Sequence, residues 1–181
     1  SRTPSSAGNL RTWTLSFWVK RNILGSLQCM YGAANGGSGA TDYGIIYFDA
    51  NDAFGFYYNN STIRLSNRKF RDVSAWYHIY IKADTTQSSA SDRIAIYING
   101  VEETSFSESN TPSQNQDMAW NNNIATNVGG IPTSSSYYFD GYMAEFHNID
   151  GTVKPVTDFG ETDAVTEAWI PKNYTGGSYG T

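Results

Sequence analysis

The chain has 181 residues, enough for one domain with its own core. Twelve Lys and Arg against 17 Asp and Glu leave a net charge of −5, which argues against the clustered basic footprint that nucleic-acid phosphates require. No apolar run approaches the roughly 20 residues that span a bilayer as a helix, and the single cysteine, Cys29, excludes an internal disulfide framework or a multi-Cys metal site.

The first strand signal is "TWTLSFWVK" at 12–20, where Trp13, Leu15, Phe17 and Val19 share one face and Thr14, Ser16 and Trp18 share the other. A strand near 27–31 follows, then the Gly-rich loop "GAANGGSGATDYG", then "GIIYF" at 44–48. "AFGFYY" and "STIRLS" come next, with Asp49 to Asp52 and Asn59-Asn60 as turn material. In "AWYHIYIKAD" at 75–84, Tyr77, Ile79 and Ile81 alternate against Trp76, His78, Tyr80 and Lys82.

"DRIAIYINGVEETSF" at 92–106 predicts a hairpin. Ile94, Ile96 and Ile98 line one face, Asn99-Gly100 suits a two-residue type I′ turn, and Val101 to Phe106 reads as the returning strand. The polar stretch 107–122 reads as a long loop, and "NIATNVGG" and "YYFDGYMAEFHNID" as the last two strands. Residues 151–181 have weaker periodicity and read as a C-terminal extension, either a return strand or a linker. An opening Ser rather than Met, and an ending on "YTGGSYGT", read as a portion of something longer. Eight or more short strands, each with one apolar face, predict an all-β fold of two packed antiparallel sheets, a jelly-roll sandwich over 1–150.

The order "TWTLSFWVKR", "AWYHIYIKADTT", "DRIAIYINGVEETSF", "NVGG" and "YYFDGYMAEFHNID" resembles the laminin-G-like, concanavalin A-like lectin domain over roughly residues 10–150. The chain departs from that pattern at Ala144, where many members carry Asp, so no role of that Asp is carried over. "DFGETDAVTEAWIPKNYTGGSYGT" resembles a segment that follows this domain in structural proteins of marine bacteriophages. Together these resemblances imply a virion surface module of a fibre, tail or capsid decoration. Its implied partners are other virion proteins and host-surface glycans, with no nucleic acid or membrane insertion. Presentation in many copies or as a homo-oligomer is implied too.

The family includes β-glucan-cleaving enzymes, which need two carboxylates about 5–5.5 Å apart when they retain configuration. The nearest acidic run is Glu161, Asp163 and Glu167, one residue too long for the bulged strand pattern, and it reads as a solvated turn. No G-x-S-x-G elbow accompanies His78 or His147, so a non-enzymatic role is expected. If Trp13 and Tyr77 face the core, Trp18, Trp76, His78 and Tyr80 face outward as candidates for stacking on sugar rings. The competing reading is that a loop, a neighbouring subunit or the C-terminal segment covers that face. Calcium is the other expectation of the resemblance. Asp49, Asn51 and Asp52, with Asp42 as a fourth, form the densest oxygen cluster, although Asp and Asn are also ordinary turn formers. A purely structural assembly module remains the alternative to glycan binding.

Overall fold

A computed structural model describes residues 1–36 and 42–180. Its strands are β1 (Thr12–Arg21), β2 (Gln28–Ala34), β3 (Tyr43–Phe48), β4 (Ala53–Tyr58), β5 (Ser61–Lys69), β6 (Tyr77–Asp84) and β7 (Ile94–Ile98). They continue as β8 (Val101–Glu102), β9 (Phe106–Ser109), β10 (Ala125–Val128), β11 (Gly141–Asp150), β12 (Gly160–Thr162) and β13 (Trp169–Pro171). One antiparallel sheet runs β11-β1-β6-β7-β8, and the other β10-β2-β3-β4-β5-β9. The fold is the all-β two-sheet sandwich that the alternation predicts.

The inner faces meet as expected from period two. Leu15, Phe17, Ile79, Ile81, Ile96 and Ile98 on one sheet pack against Met30, Ile46, Phe48, Phe54 and Phe56 on the other. Asn99 and Gly100 have φ of 51° and 78°, and Ile98 pairs with Val101, as a type I′ hairpin requires.

Three local expectations change. The returning strand of that hairpin holds its sheet only through β8, and Phe106 then opens β9 on the edge of the other sheet. The 107–122 stretch is not only a surface connection: Trp120 is fully buried, 5.4 Å from Trp13 and 5.1 Å from Phe56 between ring centroids. Finally, β11 bulges. Ser16 pairs with His147 and Trp18 with Ala144, so an extra residue is taken up where Glu145 has φ 48°. The bulge lets Phe146 pack on the core, stacked on Phe17 at 5.6 Å, while His147 lies among the rings of the C-terminal segment.

Residues after 150 join neither large sheet. Strands β12 and β13 pair only with each other, and the segment lies across the outer face of the five-stranded sheet. Phe159 and Tyr174 stack at 5.0 Å, and both lean on His147. Trp169 stacks on His78, which stacks in turn on Trp18, at 6.0 and 5.0 Å. A Cβ on Gly100 would sit 2.6 Å from the Trp169 ring, so this glycine serves both the turn and the close approach of the indole.

The hydrogen bonds fix the His78 tautomer. The Trp169 indole N–H can only donate, and it reaches His78 Nδ1 at 2.9 Å. The ring proton is therefore on Nε2, which donates to Ser16 Oγ at 2.8 Å. Burial, with a smaller contribution from His147, lowers the His78 pKa to about 4.

One ion pair is buried beside the core. Arg21 is fully buried, with its guanidinium 3.1 Å from Asp52 Oδ1, 4.4 Å over Phe48, and donating to the Phe70 carbonyl at 2.8 Å. Burial alone would raise the Asp52 pKa, but the Gly25 N–H, Arg71 and Arg21 outweigh it and hold the carboxyl below its ordinary range.

Two outcomes are expected. Unfolded His78 would bind a proton near pH 6.5 while the folded ring resists until about pH 4, so the unfolded state holds more protons between these values. Stability should fall across that window by about 3 kcal/mol, and urea titrations at stepped pH should show a shallower decline in His78→Gln. Asp52→Asn leaves Arg21 buried without a counter-charge and should cost about 3–5 kcal/mol in the same assay at pH 7.

Candidate functional site

The outward residues of the five-stranded sheet do not form one open face. Trp18 is 7% exposed, His78 0% and Tyr80 2%, because Trp169 and Phe159 lie over them. The Tyr80 hydroxyl donates to the Lys154 carbonyl, fastening the covering segment to the sheet. Trp76 alone of the four candidates stands exposed, at 41%, with Tyr142 beside it. Covering by the C-terminal segment is thus the arrangement at Trp18, His78 and Tyr80.

The acidic candidates do not come together either. Asp42 precedes β3 and Asp49 follows it, so the extended strand separates them by roughly 20 Å. Asp49 Oδ1 accepts the N–H groups of Asn51 and Ala53 at 2.9 and 2.7 Å, closing the β3–β4 turn. Asp52 is occupied by Arg21, Arg71 and the Gly25 N–H. Among the described residues no group of three or more Asp, Glu, His or Cys is gathered for a metal ion. In the β12–β13 connection, Asp163 Oδ1 accepts the Val165 and Thr166 N–H groups, Glu161 pairs with Lys172 at 3.8 Å, and Glu167 is exposed at φ 58°. Asp163 thus does turn chemistry, and Glu161 makes a surface ion pair. Of the polar loops, 37–41 lie outside the described residues.

Cys29 is fully buried under the loop after β10, and burial pushes its thiol pKa well up. That leaves it a packed apolar residue rather than a nucleophile.

A better-formed site lies on the outer face of the six-stranded sheet. Its floor follows from the strand period: Tyr43, Ile45 and Tyr47 alternate outward on β3, opposite the inward Ile46 and Phe48. Tyr57 stands on β4, 6.0 Å from Tyr43 and nearly perpendicular to it. Gly55, paired with Tyr47, makes room for that ring: a Cβ there would meet its Cζ at 2.2 Å. The loop after β10 supplies a wall. It crosses β2 so closely that a Cβ on Gly32 would lie 2.7 Å from the Gly130 carbonyl, and it carries Tyr137, 51% exposed.

The result is a groove of about 510 Å³ with four tyrosines, Thr62 and Ser134 among its lining residues, none of which is charged. The Tyr57 hydroxyl donates to Asn60 Oδ1 at 3.2 Å. Burial raises the Tyr43 and Tyr47 pKa values to about 12, so both phenols are neutral donors and acceptors at ordinary pH. Flat apolar rings with hydroxyl tips around an uncharged trough can stack on a sugar ring and bond its hydroxyls. Sequence reasoning missed this site. The Tyr-x-Ile-x-Tyr alternation at 43–47 was its one signal, and a doubly buried strand gives the same pattern.

Comparison with known proteins places the architecture. Domain 4 of AbnA, an extracellular arabinanase of Geobacillus stearothermophilus described in complex with arabinotriose, superposes with a TM-score of 0.56 at 21% identity, over 83% of this chain and 64% of that one. The chain therefore spans a little under two thirds of that relative's length. A heptameric SAP-like pentraxin from Limulus polyphemus superposes with a TM-score of 0.53 at 11% identity, covering 84% of this chain and 70% of that one. No curated protein matches the sequence. The family description "Concanavalin A-like lectin/glucanases superfamily" matches residues 2–155, and with the sandwich, its sheet order and its grooved outer face in place, the chain belongs to that superfamily.

Proposed function

We propose that this domain is a non-enzymatic carbohydrate-binding module whose ligand, an uncharged stretch of oligosaccharide, lies in the tyrosine-lined groove of the six-stranded sheet. The observation that carries the reading is the groove itself: Tyr43, Tyr47, Tyr57 and Tyr137 around a volume of about 510 Å³, with no charge among the described lining residues. Membership of a lectin and glucanase superfamily supports it, as does the likeness to an arabinanase domain described with arabinotriose. A non-enzymatic role is supported by the engagement of Asp163 in a turn and of Glu161 in a surface ion pair with Lys172.

We further propose that the module is displayed on a virion surface in several copies and attaches there to host glycans. The support is the resemblance of "DFGETDAVTEAWIPKNYTGGSYGT" to a segment of marine bacteriophage structural proteins. Multiple weak sites on one particle would raise avidity without new contacts.

The test is binding to an array of arabinan, xylan, β-glucan and chitin oligosaccharides and bacterial O-chains. Tyr57→Ala/Tyr137→Ala should weaken binding by about tenfold or more while leaving thermal stability nearly unchanged. Undiminished binding in that variant would move the ligand away from the groove. Since Asp49 and Asp52 are already engaged, EDTA should leave wild-type binding unchanged on the same array.

A further inference from the structure

The C-terminal segment covers the middle of the five-stranded sheet and stops one row short of its end. In that last row Lys20 pairs with Tyr142 on β11, and the β1–β6 register, which ends at Val19 and Tyr77, brings Trp76 to its other side when continued by one residue. Trp76 and Tyr142 are 41% and 59% exposed, with ring centroids 6.5 Å apart and planes tilted by 52°. The row is the continuation of the Trp18–His78 row that Trp169 covers, yet among the described residues its two rings stay exposed.

Its surroundings are polar. Asn22 donates to Asp140 at 3.1 Å, and Ser74 donates to Asp72, whose carboxyl is held low by Ser74 with a smaller contribution from Lys20. A protein-covered patch would be expected to lose charge at its centre. Here Lys20, on the strand that runs between the two aromatic positions, adds a charge to the same row. The occupant that satisfies both features offers a flat C–H face to the rings and oxygen acceptors to the ammonium on the same row, which is the chemistry of a saccharide.

We propose that Trp76, Lys20 and Tyr142 form a second saccharide-stacking platform, on the opposite sheet from the tyrosine groove, making one domain bivalent. The inference rests on the carbohydrate-binding reading and goes beyond it. Two sites on opposite faces of a sandwich cannot serve one short oligosaccharide, so each captures its own chain and a single domain bridges two. Because Trp76 alone of the five tryptophans stands largely exposed, it also reports its own occupancy.

The experiment uses beads coated with each polysaccharide of the array above. It compares wild type, Trp76→Ala/Tyr142→Ala and Tyr57→Ala/Tyr137→Ala, each shown by circular dichroism to be folded and run on size-exclusion chromatography for its oligomeric state. The expected result is that wild type agglutinates the beads and both double variants bind them without agglutinating. Soluble oligosaccharide should also protect wild-type tryptophan fluorescence from acrylamide, and Lys20→Ala should weaken that protection severalfold. Agglutination that survives in Trp76→Ala/Tyr142→Ala overturns the platform while leaving the groove intact. Wild type that binds no polysaccharide overturns the carbohydrate reading and the platform with it. A wild-type dimer that Trp76→Ala/Tyr142→Ala converts to monomer assigns the row to a protein contact and overturns the proposal.

Discussion

Strand β1 is buried on both of its faces: Trp13, Leu15, Phe17 and Val19 on one side, Thr14, Ser16 and Trp18 on the other. A strand at the centre of an antiparallel sheet normally has one face for the core and one for water. This one needs two covers, and the rest of the molecule supplies them. The six-stranded sheet and Trp120 cover the inner face, and the C-terminal segment covers the outer. The second cover is unlike the first. It is made of ring stacking and a few directed bonds, with a neutral histidine at its centre, rather than of interdigitated aliphatic side chains. The outer faces of the two sheets consequently differ: one is largely sealed by the chain's own aromatics, and the other keeps a trough open.

Much of the sandwich was legible because strand period and turn chemistry are local. The Ile94, Ile96 and Ile98 alternation and the Asn99-Gly100 turn required nothing from elsewhere in the chain. What was not legible was tertiary. The short β8 and the departure of Phe106 to the other sheet depend on which edge was vacant, and sequence does not encode edges. Trp120 falls inside the polar stretch 107–122, which reads as a loop. Its burial depends on a gap between Trp13 and Phe56 over Gly44, where a Cβ would lie 2.6 Å from the indole.

The candidate site was legible in kind and not in place. Outward aromatics on β6 were correctly separated from inward ones by period two, but what lies over them could not be read from the same strand. His78 illustrates the difficulty, since its exposure is set by Trp169, 91 residues away. The Asp42, Asp49, Asn51 and Asp52 cluster does not gather for two simpler reasons: β3 sets Asp42 apart from the others, and Asp49 and Asp52 are already bonded within the chain. Tyr43 and Tyr47 escaped notice because outward tyrosines on a strand with a buried inner face resemble core packing until the opposite wall is known.

The covering segment also bears on how such a unit can be moved between proteins. The superfamily match ends at residue 155, whereas Phe159, Trp169, Tyr174 and Tyr179 all lie beyond it. A transplant cut at the family boundary would carry a complete inner core and an unroofed sheet, with Trp18, His78, Tyr80 and Ile149 newly wetted. An exposed aromatic surface of that kind invites self-association. The unit that can be exchanged intact is longer than the unit that sequence comparison recognises, because it includes Phe159, Trp169, Tyr174 and Tyr179.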